Sequence, residues 1–301
     1  MGTYRGKYLK STQSRPFFWV GIGCCLLAGV FLLYVLLFAG SAVRQRQSSR
    51  QDASTYVKAP SQAPTEAVAP VESAPGTDAA LPIGSTPTEA PSEAPTEAPT
   101  EAPTEPPRFP SIDFEGLREK NPDVVAWLRL PAMEGLDYPV VLGQDNAYYT
   151  ARSWDGAENE HGAIFLDYQN TADFSQVHSI LYGHCMKDGT MFQPLGKWEG
   201  PEYFAGTDKT LLLFLPTETR VYEIFAVERV NALDNRVYHT DYQPDESWAQ
   251  ALSETLAAAE HSTSPALDQS SRVLTLSTCI GDMDRLVVHA VCREQVPVSQ
   301  R

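Results

Sequence analysis

Cysteine is scarce in this chain of 301 residues, with only Cys24, Cys25, Cys185, Cys279 and Cys292. The first two lie inside an apolar run, where cysteine behaves as a small hydrophobe. Three remain, and an odd number excludes a fully paired disulfide framework, so at least one thiol is free to react. Metal-ligand spacing is missing as well: His161, His178, His239, His261 and His289 fall into no zinc pattern, and His184 with Cys185 supplies too few ligands. No metal and no cofactor are expected. Nor is there a basic patch with interleaved aromatics. The net charge is −15, but residues 1–58 carry eight Lys/Arg against Asp52 alone, and residues 59–110 carry eight Asp/Glu against Arg108 alone. Those two stretches cancel, so the whole −15 belongs to the chain from Ser111 onward. Such an acidic surface repels phosphate backbones and argues against nucleic acid as a partner.

The regions that are present differ sharply in composition. Phe17 to Ala39 holds no charged side chain, and at a helical rise of ~1.5 Å per residue it spans roughly 34 Å, enough for a hydrocarbon core. A cleaved signal peptide is the rival reading, since Ala39 to Ala42 offers small residues, but the apolar run exceeds the ~7–15 residues of a signal core. Arg5, Lys7, Lys10 and Arg15 precede the run, while Arg44, Arg46 and Arg50 follow it, so charge alone barely orients it. A long polar tract and a complete domain on the C-terminal side favour a cytoplasmic N-terminus. From Ala59 to Pro110 the chain reduces to Pro, Ala, Thr, Ser and Glu, with a four-residue repeat over Thr88 to Pro103. Such a tract buries no core. As extended polyproline II it would lift a domain on the order of 100 Å from the bilayer; as a plain disordered linker it would not. The expected organisation is a cytoplasmic tail (1–16), a transmembrane helix (17–40), a Pro/Thr/Glu-rich linker (41–110) and one globular domain (111–301).

That domain reads as mainly β, in short apolar runs punctuated by turn residues. Helical turns are expected over Phe114 to Trp127. Strands follow near Trp127–Leu130, Tyr138–Leu142, Ala163–Tyr168, Ser179–Cys185, Thr210–Leu215, Arg220–Val230, Arg272–Thr278 and Arg285–Arg293, eight in all and enough to close a barrel. Between the sixth and seventh, Asp245 to His261 carries Trp248, Ala251, Leu252, Leu256 and Ala259 at helical spacing.

Two strand ends carry residues suited to chemistry. The β-branched run from Val273 ends at Cys279, and the apolar run from Ser179 ends at Gly183 and His184. A free thiol titrates near ~8.5 and is mostly protonated at neutral pH, so an imidazole that takes its proton makes it a nucleophile. The same ring can protonate a leaving amine. Arg285 would supply a permanent cation for an oxyanion. The bland readings are a buried inert cysteine and a structural ion pair from Arg285 to Asp282 or Asp284. Cys185 is either packed away by strand alternation or poised to form a reversible disulfide with Cys279.

On these residues the sequence resembles the sortases, cysteine transpeptidases of Gram-positive cell surfaces, and within them class B. The segments that carry the resemblance are Thr275–Cys279, Arg285–Val288, Tyr182–Phe192, Asn121–Trp127, Leu136–Val141, Asp145–Tyr149 and Gly162–Tyr168. The resemblance implies an eight-stranded sortase barrel with N-terminal helices and a helix between strands six and seven. It implies Cys279 as nucleophile, His184 as general acid/base and Arg285 as the residue that orients substrate and stabilises the oxyanion. Ser277, Asn146 and Thr150 fall where class B enzymes contact the sorting peptide. Three positions depart from the family pattern: Cys185 where asparagine is usual, a short turn from Cys279 to Arg285, and Thr150 in place of leucine.

The implied reaction is cleavage of a C-terminal sorting motif after Thr, in an exported protein, through a Cys thioacyl intermediate. An amine of a cell-wall precursor or a pilin subunit then accepts the acyl group. Membrane, client protein and amine acceptor are the implied partners. A cell-wall L,D-transpeptidase, a cysteine peptidase and a noncatalytic surface-binding module are the competing readings.

Overall fold

The computed structural model describes residues 53–59, 108–234, 236–280 and 283–300. The expected transmembrane helix, 17–40, lies outside them. Among the described residues no helix is long and apolar enough to cross a membrane.

The chain enters with a short strand, β1 (Val57–Lys58), which pairs antiparallel with β2 (Ser111–Ile112). Residues 53–59, expected within the linker, are therefore part of the domain surface. Ala53 is buried, Tyr56 packs edge-on against Trp154 at 6.1 Å, and Lys58 Nζ reaches Asp113 Oδ2 at 3.4 Å. Gly116 makes room for this strap, since a Cβ there would lie 2.7 Å from Tyr56 Cε1.

Helix α1 (Phe114–Lys120) starts at Asp113, whose carboxylate accepts from Gly116 N–H, and it buries Phe114 and Leu117. It stops well short of the expected Trp127 because Pro122 pushes Asn121 out of the helical region, to φ −146° and ψ 111°. The chain turns directly into strand β3 (Val124–Arg129).

The other strands are β4 (Asp137–Leu142), β5 (Ile164–Leu166), β6 (His178–Tyr182), β7 (Thr210–Phe214), β8 (Glu218–Asn231), the two-residue β9 (His261–Ser262), β10 (Val273–Cys279) and β11 (Asp284–Pro297). Their order is β11-β10-β6-β5-β4-β3-β7-β8-β9, and β11 also pairs with β8. That last pairing closes eight strands into a barrel and leaves β9 as an appendage on β8. Helix α2 (Pro201–Gly206) lies between β6 and β7, and α3 (Glu246–Ala258) lies between β8 and β10, where the apolar spacing placed it.

Period-two alternation sorts the strands that build the site. Leu274 and Leu276 of β10, with Leu286 and Val288 of β11, join the barrel interior, which is filled by Leu128, Leu181, Leu213 and their neighbours. The alternate residues, Thr275, Ser277 and Cys279 with Arg285, Val287 and His289, face outward. Part of that outer face lies beneath α3 and the connection from β8 to α3, through Val237, Tyr238, Trp248 and Leu252. The uncovered remainder is a groove.

Candidate active site

Strand register brings the groove together. β6 and β10 run parallel with Tyr182 opposite Ser277, Gly183 N–H donates to the Ser277 carbonyl, and Thr278 Oγ1 donates to the Gly183 carbonyl at 2.8 Å. One step beyond those bonds come His184 and Cys279. On the opposite side Cys279 pairs directly with Arg285 in the β10–β11 register. All three line one groove of about 300 Å³, together with Asn146, Thr150, Tyr182, Tyr238 and Ser277. Glycine is required at 183, because a Cβ would lie 2.5 Å from Ile164 Cδ1 and 2.8 Å from the Phe192 ring.

His184 is oriented from behind. Its Nε2 lies 2.7 Å from the Thr150 carbonyl. A carbonyl only accepts, so Nε2 carries hydrogen and Nδ1 is the nitrogen available to a thiol or an amine. Thr150 ends a single 3₁₀ turn, Tyr148–Thr150, locked by the buried Tyr149. The Tyr149 hydroxyl accepts from Asn121 Nδ2 at 2.8 Å and donates to Asp123 Oδ2 at 2.7 Å. Burial, and then the Asp123 carboxylate, raise this phenol far above its ordinary value and keep it a donor. Gly162 closes the support at φ +62°, where a Cβ would lie 3.0 Å from His184 Cδ2.

Arg285 is half-buried and donates to the Asp284 carbonyl at 3.0 Å. Among the described residues no carboxylate lies within ion-pair distance of it; Asp282, one of its two expected partners, lies outside those residues, and Arg285 itself lines the groove. Cys279 is an exposed free thiol. Cys185 is exposed too, not packed away, because the chain leaves β6 after Tyr182 and Cys185 bridges instead to Met191. Desolvation, then the nearby Cys279, raises the Cys185 thiol above its ordinary value, which disfavours its thiolate.

The three residues expected at the peptide contribute unequally. Asn146 spends both ends of its amide, donating to Asp167 Oδ2 at 2.8 Å and accepting from Tyr168 N–H at 3.0 Å. Thr150 turns its hydroxyl onto the Ala147 carbonyl, so its own carbonyl is what serves the site. Ser277 is only 2 % exposed and shares a 3.0 Å hydrogen bond with the Tyr238 hydroxyl.

Sequence reasoning missed the aromatic wall. Tyr238 stacks on Tyr182 at 6.2 Å, and Tyr182 lies 5.3 Å from Phe165. The Tyr182 hydroxyl donates to Asp167 Oδ2 at 2.8 Å, and burial with that carboxylate raises its phenol well above the ordinary range. Tyr182 stood in the apolar run before His184 and read as strand filling. Tyr238 sits in a polar connection with no periodicity, so nothing local marked it. Among the described residues, no three of His, Cys, Asp or Glu cluster as a metal site.

A barrel closed through β11 and β8, with a cysteine, a histidine and an arginine on its rim, is the frame of a thiol acyl-transfer enzyme. The sortase domain family matches residues 128–293, and the chain belongs to that family of cysteine transpeptidases. Its relatives are class B. Sortase B of Listeria monocytogenes is 30 % identical over 179 residues, covering 57 % of this chain and 69 % of the relative. A crystal structure of a Bacillus anthracis protein described as similar to sortase B superposes with a TM-score of 0.56 at 32 % identity, over 62 % of this chain and 84 % of that one. The Staphylococcus aureus sortase B–substrate complex aligns at 0.56 and 28 % identity, over 60 % and 84 %. The L,D-transpeptidase, cysteine-peptidase and noncatalytic readings give way to this assignment.

Proposed function

We propose that this enzyme cleaves a C-terminal sorting motif of an exported protein after Thr and passes the acyl group to an amine of the cell wall or of a pilin subunit. The observation that carries the reading is the register that sets Cys279 directly opposite Arg285, with His184 on the neighbouring strand of the same groove. Cys279 is the nucleophile: its thiolate adds to the Thr carbonyl and the carbonyl oxygen becomes an oxyanion. Arg285 faces that oxygen with a permanent cation and directed N–H donors. As the C–N bond breaks, His184 delivers a proton to the departing amine, leaving a thioester on Cys279. The acceptor amine then attacks the thioester, loses its proton to His184 and releases the thiolate. The apolar run 17–40 serves as the membrane anchor with the catalytic domain outside, near membrane-tethered clients and a lipid-linked acceptor.

The test is cleavage of peptides carrying Thr-Gly or Thr-Asn bonds, with and without an added amine, followed by mass spectrometry. A thioester adduct on Cys279 and an amine-exchanged product are expected from the unaltered enzyme. Cys279→Ala and His184→Ala are expected to lose cleavage. Arg285→Ala should lose about 10²–10³-fold in kcat, as when an oxyanion donor is removed. Cleavage that continues unchanged in the Cys279 or His184 variant would refute these roles.

A further inference from the structure

Beneath the connection from β8 to α3, four residue pairs along β10 and β11 from Cys279 and Arg285, a chain of buried polar groups crosses the outer face of the barrel. His178 Nδ1 lies 2.8 Å from the His239 carbonyl, and His178 Nε2 lies 2.9 Å from Thr275 Oγ1. Thr275 Oγ1 lies 2.9 Å from His289 Nδ1, and His289 Nε2 lies 3.1 Å from Glu228 Oε1. Glu228, only 1 % exposed, then accepts from Arg236 at both oxygens, at 3.1 and 2.7 Å.

The direction of each bond follows from what each atom can give. The His239 carbonyl accepts, so His178 Nδ1 carries hydrogen. Burial lowers His178 to about 4, so the ring is neutral and its Nε2 accepts the single hydroxyl proton of Thr275. Thr275 must then accept from His289 Nδ1, and one further proton lies between His289 Nε2 and Glu228. Burial alone would raise the Glu228 carboxyl, but the hydrogen bonds from His289 and Arg236 outweigh it and hold the group below its ordinary value. A carboxylate buried that deeply grips a guanidinium hard, because removing either partner strands a charge.

The connection is thus pinned twice, at Arg236 and at the His239 carbonyl, and the two pins bracket Tyr238. That tyrosine is the residue whose hydroxyl meets Ser277 and whose ring stacks on Tyr182. We propose that Glu228, which lines no part of the groove, is a positioning residue of the reaction: through Arg236 it sets Tyr238 over Ser277 and so fixes the wall against which a peptide lies beside Cys279. The proposal rests on the groove being the peptide site, as argued above.

The full chain carrying Arg236→Met, Arg236→Lys or Glu228→Gln tests it, with three readouts. Backbone amide exchange over residues 232–243 reports the connection, the alkylation rate of Cys279 by iodoacetamide reports the nucleophile, and KM against kcat reports the peptide. Arg236→Met is expected to speed exchange only in that connection and to raise KM about tenfold, the loss of one charge-assisted contact, with kcat and alkylation within about twofold. Glu228→Gln should move in the same direction, and Arg236→Lys should recover most of the KM. An unaltered KM in a folded variant would overturn the proposal. So would a parallel fall of kcat, alkylation rate and melting temperature, which marks a merely structural pair. If the unaltered enzyme cleaves no Thr-containing peptide, the proposed function fails instead. The exchange arm then still decides whether Glu228 and Arg236 hold the connection, and unchanged exchange counts against them.

Discussion

Side-chain volume matters most at the glycine that precedes His184, where Ile164 and Phe192 crowd the backbone. Gly183→Ala would drive a methyl group into Ile164 and Phe192, and such overpacking costs about 1–3 kcal/mol. The expected outcome is a lowered melting temperature together with slower peptide cleavage, because the displaced backbone carries His184. Tyr149→Phe removes the hydroxyl that joins Asn121 to Asp123 and leaves both partners underused, for a loss of about 1–3 kcal/mol by denaturant titration. Its effect on kcat should exceed that of a remote mutation of equal cost, since the Thr150 carbonyl behind His184 rides on the same turn. These consequences separate residues by how they could be found. Cys279, His184 and Arg285 each end or open an apolar run, so their place at strand ends was legible in the sequence. Glu228 was not, because a lone acid within a strand reads as solvent-facing until a histidine of another strand and an arginine of a loop close around it.

At the level of elements, the eight barrel strands and α3 were legible because β-branched runs and helical spacing are local signals. The end of α1 was set by Asn121 before Pro122, a local signal that the apolar spacing beyond it masked. Pairing across the sheet could not be read locally, and it is pairing that makes the site: β6 beside β10, and β11 against β8. One seam between elements is sensitive to acid. His178 on β6 stacks on Trp248 of α3 at 5.3 Å, and its folded-state value of about 4 lies below the 6.5 of an unfolded histidine. Between those values the unfolded chain holds more protons than the native one, so stability rises with pH. Melting temperature should fall as pH drops from 6.5 towards 4, with a slope approaching about 1.4 kcal/mol per pH unit from this group. Substituting His178 by a residue that does not titrate should flatten that part of the profile, whatever it costs overall.

Taken whole, the molecule joins an acidic barrel to a long Pro/Thr/Glu tract, which composition left equally open as a spacer or a plain linker. The pairing of β1 with β2 changes its geometry. Lys58 stands opposite Ser111, and paired strands hold such partners roughly 5 Å apart. Residues 60–107 are therefore flanked by strands that meet at one point of the barrel surface. Replacing them with a tight turn should therefore leave peptide cleavage intact. Shortening the closed loop should add on the order of 2 kcal/mol of stability, seen as a higher melting temperature. For an enzyme anchored as proposed, the leash between bilayer and barrel is then only the stretch from about residue 41 to Ala53, roughly 40 Å at full extension. The number of repeats in the tract could drift over generations without altering how far from the membrane the thiol works.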